Sequence, residues 1–484
     1  MEAARKIARL IFPHYRFGET NIYDAKKLVK LGVGGFCLYG GSVDEVIEVI
    51  RILRSESEHP LIFAADYENG VGQWVCGATK LPPNMAISAS GDISIARRKA
   101  EITAIESDAL GVDWVFAPVV DLADNHLNPI VNIRAFSDNI DATVEFAKSY
   151  ISGLNSFNIL NSIKHFPGHG STSVDSHLTL PEINKSFDEI YNYDIQPFKY
   201  LCDVADSIMV GHILVNSVDK VPASFSKKFI SEILKNKMNF RGVVITDALM
   251  MKAINNDIDA GVMAFMAGAD ILLYPNDAYR LYEALLSCYH KGEISDDMID
   301  ISLKKITKLI SKRMVSNYRA KDITVIGSKE HKQFVADIAY KCITWAKEWH
   351  GVAKKVFYLE LPEIGNNDIK GKVFIDELKK QGFNFALSIN ESDIVIIGIF
   401  SSPKAFSGNI NLGSKEKHVI NEIILSGKKV LGVSFGSPFV FDGYLKEFEA
   451  ALCVFCDLDD FQITAAKALA GNKIYGKMPV KIYE

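Results

Sequence analysis

Three histidines stand close together in residues 164–183, KHFPGHGSTSVDSHLTLPEI, and they are the strongest indication of chemistry in the chain. They are His165, His169 and His177, separated by prolines and glycines that are typical of an irregular loop. An imidazole can bind a metal, activate a serine nucleophile or transfer a proton near neutral pH. The stretch therefore indicates a metal centre, a nucleophile triad, or a loop that binds a sugar and transfers a proton.

A metal centre needs several N, S or O ligands that converge on one point. The candidate ligands in the stretch are His165, His169, Asp175 and His177. Their spacing is irregular, and no H-E-x-x-H or C-x-x-C motif lies nearby. The serines of the stretch lack the G-x-S-x-G elbow of a serine hydrolase. We therefore expect no metal and no cofactor, and regard the triad as the weakest of the three interpretations.

Hydrolysis of a glycosidic bond needs a carboxylate on one side of the anomeric carbon and a proton donor on the other. Asp247, in the segment VVITDALMM, is a natural carboxylate, although it could instead cap a helix that begins at ALMMKAI. His177 lies two residues after Asp175. An aspartate that close can orient the imidazole and stabilise its charged form, so the pair could serve as the acid/base.

Short apolar runs recur through the first two thirds of the chain, and helical patterns separate them. Branched and aromatic residues dominate the runs, as in strands that are buried on both faces. The runs are residues 8–12, 33–39, 60–66, 112–121, 159–166, 206–212, 242–248 and 270–275. Eight such alternations predict an α/β fold, a (β/α)8 TIM-type barrel. A doubly wound open sheet is the alternative, because periodicity alone does not establish closure.

Polar residues follow several of these runs at the point where each predicted strand ends. They are Asp66, Asp121, Lys164 with His165, His212 and Asp247. Functional residues of a (β/α)8 barrel lie at the carboxyl ends of its strands. The runs therefore predict that these side chains share one end of the barrel.

After Arg313 the chain becomes polar and basic, and a second α/β pattern follows. Its predicted strands are residues 322–327, 354–361, 392–400, 428–436 and 450–456. We predict a barrel domain over residues 1–318 and a smaller, doubly wound α/β domain over residues 319–484.

Charge and hydropathy narrow the function classes. The net charge of −5 gives no broad attraction to nucleic acid or to anionic lipid, and no local basic patch stands out. No apolar run is long enough to span a membrane, and the N-terminus lacks the pattern of a signal peptide. Seven cysteines without a pairing logic are typical of reduced thiols. We therefore expect a cytoplasmic protein that binds neither nucleic acid nor membrane.

The stretch KHFPGHG, followed by D-S-H at 175–177, closely resembles the loop of the β-N-acetylglucosaminidases of glycoside hydrolase family 3. Further segments resemble the same family in the same order, and the resemblance covers nearly the whole chain. They are DYENG at 66–70, LPPNMAIS at 81–88, FAPVVDL at 116–122, NPIVNIRAFS at 128–137, VVITDALMM at 243–251, and the C-terminal SFGSPFVF, AAKALAG and GKMPVKI.

The resemblance implies a role for each matching residue. Asp247 would be the nucleophile that forms a covalent glycosyl intermediate, and His177 the general acid/base with Asp175 as its partner. Asp66, Arg134, Lys164 and His165 would bind hydroxyls of the terminal sugar. The reaction would be retaining and exo-acting on terminal β-linked N-acetylglucosamine, from peptidoglycan-derived muropeptides or chito-oligosaccharides.

Three rival functions remain open at this stage. An enzyme of the same fold could pass the glycosyl group to phosphate, and a sugar-binding protein could keep the pocket without catalysis. The third rival is a β-glucosidase or xylosidase, and the Asp175–His177 pair argues against it. The chain also departs from the family, because Trp74 stands where many members carry an arginine after the sugar-binding aspartate. The sequence gives neither the aglycone nor the oligomeric state.

Overall fold

The computed structural model describes residues 2–174, 178–251, 256–314, 322–351, 355–361, 369–403, 410 and 412–483. Within these ranges no helix combines the length and the apolar character that a bilayer crossing requires.

The first part of the chain forms a barrel of parallel strands. The strands are β1 Ile11–Phe12, β2 His14–Arg16, β3 Gly35–Tyr39, β4 Ile62–Ala65, β5 Trp114–Val115, β6 Leu160–Phe166, β7 Glu182–Ile183, β8 Ser207–Val210, β9 Leu214–Val215, β10 Val243–Thr246 and β11 Leu272–Leu273. Seven of them pair in the order β10-β8-β6-β5-β4-β3-β2. The short strands β7 and β9 pair with each other outside this sheet.

Backbone pairing closes this sheet into a ring. Ile245, in β10, bridges Ile271 next to β11, and β11 pairs in parallel with β1. The amide of Gly34 donates to the carbonyl of Ile11 at 3.2 Å, which joins β1 to the chain entering β3. The prediction of a (β/α)8 barrel is therefore confirmed, and the open sheet is excluded for this part of the chain.

Helices surround the barrel, and local caps fix where many of them begin and end. They are α1 Glu2–Ala8, α2 Ile22–Leu31, α3 Val43–Ser55, α4 Asn84–Ala89, α5 Ile93–Leu110, α6 Ile140–Asn155, α7 Phe187–Asn192, α8 Gln196–Leu201, a π-helix Lys228–Lys237, α9 Asp257–Ala267, α10 Ala278–His290 and α11 Asp296–Met314. Asp92 caps the start of α5, and Gly111 ends it in the left-handed conformation.

The second domain is built on a six-stranded sheet with the order β12-β17-β16-β15-β13-β14. Its strands are β12 Thr344–Lys347, β13 Lys355–Leu361, β14 Asn384–Phe385, β15 Ile394–Ile399, β16 Lys429–Ser434 and β17 Ala450–Cys453. Its helices are α12 Lys329–Cys342, α13 Lys372–Lys380, α14 Ser414–Leu425 and α15 Asp459–Leu469. The sheet is parallel except for β12, which is antiparallel to β17.

The prediction of a strand at residues 322–327 is wrong. Residues Ile323–Val325 form a 3-10 helix capped by Asp322, and Gly327 turns with a positive φ of 63°. The amide of Gly327 donates to Glu106 of the barrel at 2.9 Å, so the segment is bound to the barrel instead of to a sheet. The predicted domain boundary, between residues 318 and 319, lies outside the described residues and stays a prediction.

Candidate active site

Asp66, the acidic residue after β4, is held by partners from β3 and β6. Oδ1 of Asp66 accepts a hydrogen bond from Nζ of Lys164 at 2.6 Å. Oδ2 accepts from the hydroxyl of Tyr39 at 2.9 Å. The side chain of Asp66 keeps 24% of its surface exposed, whereas that of Lys164 keeps 2%. The carboxylate is thus fixed in orientation and still open to a ligand.

A second carboxylate, Glu68, lies beneath this pair between two cations. Its oxygens accept from Nε and Nη2 of Arg134 at 2.9 and 2.7 Å. Nζ of Lys164 lies 2.6 Å from Glu68 as well as from Asp66. Burial alone would raise the pKa of Glu68, but attraction to Arg134 and Lys164 holds it well below its usual range.

Lys164 and Arg134 are positively charged in this environment. Burial alone would lower the pKa of Lys164, yet the Asp66 and Glu68 carboxylates raise it above its usual value. The pKa of Arg134 is likewise raised, because Glu68 outweighs burial. Nη1 of Arg134 donates to the carbonyl of Ile130 at 3.0 Å, so most of its donors are used inside the protein. Its contacts therefore position Glu68 and Lys164.

His165 is oriented by Asp121, a fully buried residue after β5. Nδ1 of His165 lies 2.7 Å from Oδ2 of Asp121, and the main-chain amide of His165 donates to the same carboxylate at 3.1 and 3.2 Å. A carboxylate can only accept, so Nδ1 of His165 carries a proton. Burial raises the pKa of Asp121, but attraction to His165 and His169 outweighs this and lowers it.

His169 lies in the same loop and is more deeply buried than His165. Its amide donates to Asp121 at 2.7 Å, and its Nδ1 lies 2.8 Å from the hydroxyl of Thr172. Burial, followed by repulsion from His165, lowers the pKa of His169 to about 4. A histidine that is neutral above that pH cannot be the cationic proton donor near neutral pH, which favours a structural role for His169.

Asp247 follows β10 at the same end of the barrel. Its amide donates to the carbonyl of Val210 at 3.0 Å, and its Oδ1 accepts from the amide of Ala248 at 2.8 Å. No helix begins at Asp247, since α9 starts at Asp257 with Asn256 as its cap. The alternative that Asp247 is a helix cap is therefore wrong.

His212, which follows β8, supports the backbone next to Asp247. Its Nε2 lies 3.1 Å from the carbonyl of Ala248, and its Nδ1 lies 2.7 Å from the hydroxyl of Ser224. The side chain is fully buried. These contacts fix the turn that presents Asp247.

The predicted acid/base pair, Asp175 and His177, lies outside the described residues. Among the other predicted residues, the structure joins Asp66, Lys164, Arg134 and His165 in one continuous network. Asp247 follows β10 at the same end of the barrel. Within the described ranges, no group of three or more His, Cys, Asp or Glu side chains converges on a metal position.

Trp74 contacts Asp66, the predicted sugar-binding residue, through its main chain. Its indole Nε1 donates to the carbonyl of Asp66 at 3.0 Å, and its ring meets Tyr39 edge-on, with the centroids 5.1 Å apart. An arginine at this position would offer charged donors to a ligand. Trp74 instead contributes an aromatic surface and holds the Asp66 turn.

Sequence reasoning placed Asp121 at the functional end of the barrel without assigning it a role, and it did not select Glu68 or Tyr39, although this geometry makes all three central. Glu68 stands inside the DYENG segment and Asp121 at the end of an apolar run, so both carried a signal. Tyr39 is the last residue of β3, and its position at the strand end was the only indication in the sequence. Their partners are distant in sequence, which is why local patterns did not reveal the pairings.

Comparison with known proteins places this geometry in a family. The model of the "Glycosyl hydrolase family 3 N terminal domain" matches residues 3–309. The chain belongs to glycosyl hydrolase family 3. The chain is therefore a glycoside hydrolase by family, and Asp66, Lys164, His165 and Asp247, which come from segments that resemble the family, lie at the carboxyl ends of barrel strands.

Two relatives carry hexosaminidase names. A "Beta-hexosaminidase A" of Pseudoalteromonas piscicida is 30% identical over 356 residues, which are 65% of this chain and 59% of that protein. A "Beta-hexosaminidase" of Haemophilus influenzae is 34% identical over 252 residues, which are 50% of this chain and 71% of that protein.

Solved structures share the fold over nearly the whole chain. A family 3 β-N-acetylglucosaminidase from a Paenibacillus species superposes with a TM-score of 0.86 at 23% identity, covering 99% of both chains. A β-glucoside phosphorylase, BglX, superposes with a TM-score of 0.90 at 22% identity, covering 99% of this chain and 94% of the other. At these identities the likeness shows the two-domain fold alone.

Proposed function

We propose that the chain is a retaining, exo-acting β-N-acetylglucosaminidase. The observation that carries this proposal is the network at the carboxyl end of the barrel, in which Lys164 is shared by an open Asp66 and a buried Glu68. A carboxylate held by Lys164 and Tyr39 can accept hydrogen bonds from sugar hydroxyls without having to reorganise. The hexosaminidase names of the relatives supply the sugar class.

The proposed reaction takes place in two displacements. In the first, an oxygen of Asp247 bonds to the anomeric carbon, the bond to the leaving oxygen breaks, and His177 gives that oxygen its proton. In the second, His177 takes a proton from water, the water oxygen bonds to the anomeric carbon, and Asp247 is released. Asp175 would orient His177 and stabilise its charged form.

The substrate is proposed at two levels of detail. Terminal β-linked N-acetylglucosamine is the sugar that the relatives' names support. Muropeptide fragments or chito-oligosaccharides as the source, and a cytoplasmic location, are inferences from the family resemblance.

The test compares release of p-nitrophenol from its β-N-acetylglucosaminide by the wild type, Asp247→Asn and Asp203→Asn. Asp203 is exposed between α8 and β8, so its variant is a matched control for the same chemical change. Loss of a nucleophilic carboxylate should lower kcat by about ten-thousandfold or more. The control should keep wild-type activity.

The same assay separates the rival functions. Sugar 1-phosphate formed when phosphate is added would show a phosphorylase, and free sugar in both buffers would show a hydrolase. A wild type that cleaves the glucoside but not the N-acetylglucosaminide would overturn the proposed substrate. A wild type that binds the sugar and cleaves neither would identify a binding protein.

A further inference from the structure

A histidine of the barrel is enclosed by the second domain. His126, in the segment between β5 and α6, keeps only 9% of its surface exposed. Its ring stacks on Phe439 on one side, with centroids 4.0 Å apart, and on Tyr483, with centroids 4.5 Å apart. Its Nδ1 lies 2.6 Å from Oδ2 of Asp442. Because a carboxylate only accepts, the imidazole donates this hydrogen bond.

Contacts within the second domain hold the residues that surround His126. The other oxygen of Asp442, Oδ1, accepts from the amide of Tyr483 at 2.9 Å. The amide of Gly443 donates to the carbonyl of Tyr483 at 3.1 Å. Asp442 therefore fixes the histidine and one of the two stacking rings at once, which is more organisation than a passive contact between domains needs.

The residues on either side of His126 hold the histidine-rich loop of the barrel. Nδ2 of Asn128 donates to the carbonyls of His169 and Gly170 at 2.8 and 3.2 Å. Nδ2 of Asn125 donates to the carbonyl of Thr172 at 3.0 Å. The loop is therefore held by Asp121 at the amide of His169 and by Asn125 and Asn128 at its carbonyls.

Asn128 is itself anchored to its own segment. Its Oδ1 accepts from the amides of Ile130 and Val131 at 2.9 and 2.8 Å, and the residue is 1% exposed. A shift of His126 therefore moves a rigid segment whose side chains end on the loop carbonyls.

We infer that His126 is a positioning residue, through which the second domain sets the placement of residues 165–174, the loop segment that precedes the proposed acid/base in the chain. The inference rests on the proposed function, in which His177 donates the proton. The second domain then contributes to proton transfer from a distance. Asp442 holds His126, and two residues further along the same segment Asn128 holds the loop carbonyls.

The test uses the leaving group to isolate proton donation. A dinitrophenyl leaving group departs without a proton, whereas a methyl leaving group needs one. kcat/KM for dinitrophenyl and methyl β-N-acetylglucosaminides would be measured for the wild type, His126→Ala, Asp442→Asn and the exposed control His350→Ala, whose side chain is 79% exposed. Misplacing the donor should lower kcat/KM for the methyl glycoside about tenfold to a hundredfold in His126→Ala and Asp442→Asn. The dinitrophenyl glycoside should react nearly as in the wild type.

A melting curve for each variant completes the design. An equal fall on both glycosides together with a lower Tm would mean that His126 only joins the domains, and would overturn the inference. Unchanged kinetics on both glycosides would overturn it as well. Failure of the proposed function is distinguishable, because the wild type itself would then leave both glycosides uncleaved.

Discussion

At the scale of single residues, the carboxyl end of the barrel depends on a buried carboxylate. Glu68 compensates the charge of Arg134 and shares Lys164 with Asp66. Removing one partner of a buried ion pair leaves the other charges uncompensated in an interior that solvates them poorly. The exposed Asp66 therefore owes its fixed position to the buried Glu68.

Glu68→Gln tests this dependence. The substitution leaves two buried cations opposite one carboxylate, so we expect the free energy of unfolding to fall by about 3 kcal/mol. Urea denaturation measures the change. Glu48→Gln is the control, because Glu48 pairs with Arg51 on an exposed face of α3. Equal stability of Glu68→Gln and the wild type would show that the buried charge is dispensable.

His169 predicts a pH dependence of stability. The pKa of His169 is about 4 in the folded chain, against 6.5 for a free histidine side chain. Between these values the unfolded chain binds a proton that the folded chain does not, so stability falls as the pH decreases from 6.5 to 4. His169→Gln removes this titration. Between pH 6.5 and pH 4 its free energy of unfolding should therefore fall by about 3 kcal/mol less than that of the wild type.

Melting temperatures from pH 4 to pH 7 provide the check. His14, whose pKa burial also lowers to about 4, leaves part of the slope in the variant. His350→Gln should follow the wild-type curve, since His350 is exposed. Parallel curves for the wild type and His169→Gln would contradict the prediction.

At the scale of elements, sequence patterns located the barrel strands well and their ends poorly. The apolar run at 112–121 yields only Trp114–Val115 as a strand. Pro118 has no amide to donate to a sheet ladder, so the regular strand is interrupted there. Beyond it the run keeps only a bridge between Val119 and Lys164 of β6, and Asp121 follows this bridge. The run at 159–166 has no such interruption, and β6 extends to Phe166.

The loop after β6 requires a glycine for a reason of space. A Cβ on Gly170 would meet the carbonyl oxygen of Leu122 at 1.8 Å. Gly170→Ala should therefore displace the loop and lower kcat about a hundredfold, while the far-ultraviolet circular dichroism stays unchanged. Ser173→Ala, an exposed change in the same loop, should retain activity. Full activity in Gly170→Ala would show that the loop tolerates displacement.

At the scale of the whole molecule, the two domains are joined by buried polar contacts that no local pattern could reveal. Glu106 of α5 is fully buried, and it accepts from Thr79, from the amide of Gly327 and from Nδ1 of His331 in α12. This contact explains why residues 322–327 do not form the predicted strand. An apolar run was visible in the sequence, but its buried acceptor in the other domain was not.

His331→Ala should destabilise both domains together. Loss of a hydrogen bond to a buried carboxylate costs about 2 kcal/mol. Calorimetry should show a single transition at a lower Tm, and His418→Ala should leave Tm unchanged because that side chain is 72% exposed. A drop confined to one of two separate transitions would mean that the domains unfold independently.

The central claim, that Asp247 forms a bond to the sugar, can be tested by trapping the intermediate. A fluorinated N-acetylglucosaminyl substrate with a good leaving group should slow release of the glycosyl group more than its transfer. Mass spectrometry of a digest should then show one labelled peptide, with the sugar on Asp247. A label on another residue, or turnover that leaves no label under conditions that trap an intermediate, would contradict the assignment.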